Sequence, residues 1–150
     1  MSLKEIINED LKAAMKSGDK LKLETIRSIR ALIIEFEKSG AAKELKPDDE
    51  IKMLTTAAKK RKDSIEQFRN AGREELAQKE ERELEILSAY LPKQLDEAEI
   101  NAEVSRIAQE LGASSKADFP KLMPEVMKQL KGKADGKLVR TLVESFLSGN

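Results

Sequence analysis

The 150-residue chain contains no cysteine, no histidine and no tryptophan, and aromatic residues make up only 3% of it. Without cysteine there are no disulfides and no thiolate chemistry, a composition that fits a reducing cytosol. Without histidine the commonest general base and the commonest metal ligand are both missing. That leaves carboxylates, lysines, hydroxyls and one tyrosine for chemistry. They form no self-sufficient catalytic motif, so no catalytic residue, cofactor or metal is expected. No run of about 18 apolar residues occurs, and Met1-Ser2-Leu3-Lys4-Glu5 lacks the apolar core of a signal peptide. The expectation is a soluble, cytoplasmic protein with no membrane partner.

Net charge is missing too. There are 28 basic and 28 acidic residues, so the whole molecule exerts no electrostatic pull on nucleic acid or membrane. Only local charge can matter. What the chain does have is Lys, Glu, Leu and Ala in quantity, with 37% charged residues, a balance that suits packed helices with solvated outer faces. The fold class expected is all-α. At this length a single domain would bury roughly 68–70% of its unfolded surface, and two smaller ones would each be more marginal.

The helices are marked by their ends. Ser2 with Glu5 reads as a capping box opening a first helix with the apolar face Leu3, Ile6, Ile7, Leu11, Ala14 and Met15, ending near Gly18. A second, from about Asp19 to Ser39, carries Leu23, Ile26, Ile29, Leu32, Ile33 and Phe36 before Gly40. Residues 40–47 read as a small polar loop. Pro47 with Asp48, Asp49 and Glu50 starts a third helix running to about Asn70, because carboxylates favour the positive end of the helix dipole.

That third stripe is Ile51, Leu54, Ala58, Arg61, Ile65 and Phe68, so Arg61 stands where an apolar residue belongs. The other members of the run Lys59-Lys60-Arg61-Lys62 point around the whole circumference and read as solvated surface. Beyond Gly72 a fourth helix, about Arg73 to Leu91, has the stripe Ala77, Glu80, Leu84, Leu87 and Leu91. A hairpin about Gly72 would set Arg61 level with Glu83 and a turn from Glu80, predicting an ion pair with one or the other. Its role reads first as a registry device inside the hairpin.

Tyr90-Leu91-Pro92 closes the first part, since proline cannot continue helix hydrogen bonding. The expected division is an N-terminal four-helix bundle, residues 1–91, and a small C-terminal three-helix domain, residues 92–150. In the second part Asp96 and Glu99 cap a helix carrying Ile100, Val104, Ile107 and Leu111, with Gly112 at its end. After a polar connection, Pro120 and Pro124 predict either a kink at Pro124 or a turn followed by a helix starting there. Met123 and Met127, at helical spacing, read as core filler. Asp135 caps a last helix with the stripe Leu138, Val139, Leu142, Val143 and Phe146, and Ser148-Gly149-Asn150 is expected to fray.

Residues 1–91 hold 19 basic and 19 acidic side chains, and residues 92–150 hold 9 of each. Yet Lys128, Lys131, Lys133, Lys137 and Arg140 gather around one acid, Asp135, while Asp96, Glu97, Glu99 and Glu103 gather on the fifth helix. The turn Lys131 to Lys137 therefore has two readings. Gly132 and Gly136 leave room for a phosphate to approach backbone amides with Lys133 and Lys137 beside it, or the segment is an ordinary solvated cap between helices. Phe36, Phe68, Phe119, Phe146 and Tyr90 lie mostly on apolar stripes and offer no platform for stacked bases. RNA, if bound, would be read as backbone and shape.

Three passages in order carry a resemblance: Ala58-Lys59-Lys60-Arg61-Lys62-Asp63-Ser64 through Phe68 to Ala71-Gly72-Arg73, then Glu80 with Glu83-Leu84-Glu85-Ile86-Leu87 and Tyr90-Leu91-Pro92, then Lys131 to Val139. Together they resemble the YqeY family, whose members are similar to the tail of GatB, a subunit of the bacterial tRNA-dependent amidotransferase. The resemblance implies a helical bundle followed by a small helical domain. In GatB the tail helps hold a misacylated glutamyl- or aspartyl-tRNA, while kinase and transamidase chemistry lies elsewhere. It therefore implies a non-catalytic, tRNA-associated accessory protein with Lys128, Lys131, Gly132, Lys133, Gly136, Lys137 and Arg140 as candidate contacts, and no DNA partner. The alternative is an interaction module docking on an enzyme of tRNA or amide metabolism. Where family members tend to carry Met-Gly and a later Gly, this chain has Phe119-Pro120 and Pro124, which removes the glycines a close approach at that helix would use.

Overall fold

A computed structural model describes residues 1–40 and 44–149, and among these the regular elements are all helical. They are α1 (Leu3–Ser17), α2 (Lys20–Lys38), α3 (Pro47–Asn70), α4 (Glu74–Ser88), α5 (Glu97–Leu111), a 3-10 turn (Lys116–Asp118), α6 (Phe119–Gln129) and α7 (Gly136–Leu147). Part of the polar loop expected at 40–47 falls on residues 41–43, outside the described residues.

The starts follow local chemistry. Ser2 Oγ accepts from the Glu5 amide at 3.2 Å while Glu5 accepts from the Ser2 amide at 2.8 Å, pairing two amides the first turn would leave open. Asp19 caps α2 through the Lys22 amide, whereas Asp96 and Glu99 form a second reciprocal box at the start of α5. At the α3–α4 hairpin Gly72 takes φ 73°, a left-handed conformation that a Cβ would strain.

Helix ends depart from expectation in two places. α4 stops at Ser88 rather than near Leu91. Tyr90 and Leu91 instead bond back three residues, to Leu87 and Ser88, because Pro92 disfavours helical geometry in the residue before it. α6 begins at Phe119 and runs through Pro124, so a start at Pro124 is corrected. Pro120 sits at the first turn, where a missing N–H costs nothing. Pro124 forfeits one helical bond, and burial of Leu122 and Val126 on either side of it offsets the loss. At the end of α7 the amides of Ser148 and Gly149 bond to Glu144 and Phe146, so these two residues extend the helix end as a turn; Asn150 lies outside the described residues.

The contacts divide into two compact units, Met1–Pro92 and Lys93–Asn150. In the first, α1 packs on α2, α3 on α4, and α2 on α4. The core there is Leu3, Ile7, Ala14, Ile26, Ile29, Ile33, Leu54, Ala58 and Leu87. In the second, α5, α6 and α7 pack on one another about Ile100, Val104, Ile107, Leu122, Val126, Val139 and Val143. Four stripe assignments change. Met15 and Leu138 are exposed, and so is Met127 at 41%, whereas Met123 packs on the core as expected. Leu147, absent from the expected stripe of α7, is buried. On α4 Leu84 packs partly buried against the core as expected, and Glu83 beside it is buried as well, which brings a carboxylate inward to meet a charge from α3.

Candidate functional site

The basic turn is held by several hydrogen bonds to its backbone. α6 ends at Gln129; the Leu130 amide closes the helix on Val126 at 2.9 Å, and the Lys133 amide bonds to the Leu130 carbonyl at 2.9 Å. Gly132, at φ 75°, makes the reversal between them. Asp135 then caps α7, accepting from the Leu138 amide at 3.3 Å. From the start of the same unit, Gln94 Nε2 donates to the Gly132 carbonyl at 2.7 Å and the Leu95 amide to the Lys133 carbonyl at 2.8 Å. Leu130 and Ala134 root the turn in the core.

On this frame Lys128, Lys131, Lys133 and Lys137 are all exposed. A Cβ at Gly136 would lie 3.2 Å from Met127 Cε, so the methionine packs against that side of the glycine. Arg140 stands apart from the lysines: its Nε donates to Glu144 at 3.0 Å, and its guanidinium carbon lies 5.9 Å from the centre of the Phe119 ring. The acids of α5 are largely engaged, Glu99 with Lys93 at 3.3 Å and Glu103 with Arg106 at 2.6 Å.

In the first unit Arg61 Nη1 bonds to Glu80 Oε2 at 3.2 Å and to Glu83 Oε2 at 2.5 Å, while Nη2 donates to Ser28 Oγ at 3.1 Å. Ser28 passes its own proton to the Thr25 carbonyl at 2.6 Å. Through Ser28, Arg61, Glu80 and Glu83 the cluster joins α2, α3 and α4. Both carboxylates face a permanently charged guanidinium.

Sequence reasoning missed the contact between Tyr90 and Asp10. The hydroxyl donates to Asp10 Oδ2 at 2.5 Å, beside a cavity of about 680 Å³ that Asp19, Lys22, Glu50 and Glu85 also line. Burial, then the hydrogen bond to Asp10 and its negative charge, hold the Tyr90 hydroxyl well above its ordinary ionisation range. No local pattern announces a contact between residues eighty positions apart. Asp118, at the 3-10 turn, is held below the usual carboxylate range, chiefly by the amides of Ser114 and Ser115. Among the described residues no group of three or more acidic side chains is placed to hold a metal ion, and no helix is long and apolar enough to cross a membrane.

The model of the YqeY-like protein family matches residues 4–147. Three relatives share the name "Altered inheritance of mitochondria protein 41, mitochondrial". The one from Pyrenophora tritici-repentis is 37% identical over 132 residues, which cover 85% of this chain and 71% of the relative. That from Lachancea thermotolerans is 38% identical over 114 residues, 73% of this chain and 59% of the relative. That from Kluyveromyces lactis is 36% identical over 137 residues, 87% of this chain and 68% of the relative. The chain thus spans roughly 59–71% of the length of these relatives. Their naming as mitochondrial proteins overturns the cytoplasmic placement expected above. A cysteine-free, charge-balanced composition suits any reducing aqueous compartment and does not tell one from another.

Proposed function

This chain belongs to the YqeY-like protein family, and from that premise we propose that it is a non-catalytic accessory protein that binds tRNA by its phosphate backbone. The observation that carries the reading is the turn itself. Four exposed lysines, Lys128, Lys131, Lys133 and Lys137, ride on a reversal whose backbone is pinned from both sides. Lysines are mobile point charges, and on a fixed base they match the spacing of phosphates without reading sequence. The resemblance to the GatB tail supplies tRNA as the RNA concerned. It supplies no activity, since the chemistry of that enzyme lies outside its tail.

With about four phosphates engaged, affinity for total tRNA falls roughly a hundredfold between 50 and 200 mM salt. Replacing Lys133 and Lys137 together with alanine should lower the slope of log affinity against log salt by about two. Filter binding across salt measures both. Binding that ignores the double substitution rules out this site.

One observation favours a second reading, an interaction module docking on an enzyme of tRNA or amide metabolism. Met127 and Leu138 leave apolar surface exposed beside the same turn, at 41% and 36%. Capture of such an enzyme that survives nuclease digestion would select it. Under either reading the units Met1–Pro92 and Lys93–Asn150 are proposed to be separately folding domains.

A further inference from the structure

α7 presents a polar face that leads away from the turn. Lys137, Arg140, Thr141, Glu144, Ser145 and Ser148 recur at intervals of three and four, so they share one side of the helix. At its far end lies an open groove of about 540 Å³, lined on this side by Arg140, Thr141 and Ser145 and on the other by Lys116 and Phe119. Lys137 and Arg140 are three residues apart, about 4.5 Å along the axis, so the basic turn and the groove adjoin.

The groove holds what the sequence, with its sparse aromatics, gave no reason to expect. Phe119 packs partly on the core, and the Arg140 guanidinium is positioned over its ring. Glu144 steadies Arg140 through Nε, and among the described residues Arg140 makes no other hydrogen bond, so its Nη groups remain available. Ring and guanidinium together bring an aromatic group and a planar cation to the lining of the groove. Thr141 Oγ1 spends its proton on the Lys137 carbonyl at 3.1 Å and can only accept a further bond. That suits a ribose 2′-hydroxyl or an exocyclic amine.

We propose that this groove takes one unpaired nucleotide of a bound RNA, its base stacked on the Phe119–Arg140 surface and its phosphate drawn to Arg140 and Lys116. The inference rests on the RNA-binding reading above and adds a preference for single-stranded over fully paired RNA. Packing alone would also place an arginine over an exposed ring edge. It would affect melting, however, and not the choice between two RNAs.

The test compares an oligouridylate carrying one 2-aminopurine with an RNA duplex, using the full chain. Wild type should quench the 2-aminopurine on binding. Phe119→Leu should weaken the single strand by about tenfold and leave the duplex within about twofold. Arg140→Lys, which keeps the charge but loses the planar group, should do the same with an unchanged salt slope, and it serves if Phe119→Leu fails to fold. Lys133→Ala with Lys137→Ala should weaken both RNAs. If 2-aminopurine is not quenched, or if the groove variants affect both RNAs equally or neither, the groove proposal is overturned while the lysine turn stands. If wild type binds neither RNA, both readings fall.

Discussion

Tyr90 is the chain's one tyrosine, and there is no tryptophan, so its ionisation can be followed alone by the ultraviolet absorbance of tyrosinate. Its hydroxyl is held protonated by burial and by Asp10, which raises its pKa above the reference value of 10.0. A group with a raised folded pKa stabilises in full below its unfolded pKa and loses that contribution as pH climbs through the interval up to the folded value. The expected titration of the native protein therefore lies clearly above pH 10 and returns to about 10 in urea. Tyr90→Phe should abolish the part of the alkaline stability loss that this group causes. A native titration at the ordinary value would mean that the contact with Asp10 does not persist in solution. Residue by residue, legibility followed sequence distance. Asp135 and Asp96 announce themselves as caps because their partners are three positions on, whereas Asp10 shows nothing until the chain has folded.

Among the elements, α2, α3 and α4 are tied by Arg61 with Ser28, Glu80 and Glu83. Arg61 keeps 19% of its side chain exposed and the side chain of Glu83 only 10%, so the pair is sheltered without being dry. Arg61→Ala would leave Glu83 with Lys79, 4.0 Å away, as its remaining counter-charge among the described residues, at a cost of about 2–3 kcal/mol, at or below the roughly 3–5 kcal/mol of fully buried pairs. Urea denaturation measures it, and replacing Arg61 and Glu83 together by leucine should restore much of the loss. A single variant with an unchanged midpoint would show the cluster to be energetically idle. Arg61 draws notice in the sequence because it interrupts an apolar stripe. Ser28 leaves no such mark, and the burial of Glu83 beside Leu84 depends on how α4 rotates against α3. The helices themselves are readable from caps and periodicity, and of the two readings at Pro124 a helix start there fails, because a local clash carries no information about the burial of Leu122 and Val126 on either side.

Across the molecule as a whole, charge is balanced overall and gathered locally, and apolar burial is divided between two cores. Tyr90 reports only on the first of these, whereas helical circular dichroism reports on both. Leu122, fully buried in the second core, should cost about 2–4 kcal/mol when replaced by alanine. If the units fold separately, Leu122→Ala lowers the midpoint of part of the dichroism change and leaves the Tyr90 fluorescence midpoint where it was. A matched shift in both signals would show one cooperative block. Helices that follow one another in the chain also pack on one another, α1 with α2, α3 with α4 and α6 with α7. This has a kinetic consequence. Few long loops must be closed before burial begins to reward the chain, and such topologies fold in microseconds to milliseconds. The first core draws only on residues up to Leu91, so it can be complete while the ribosome is still adding the second.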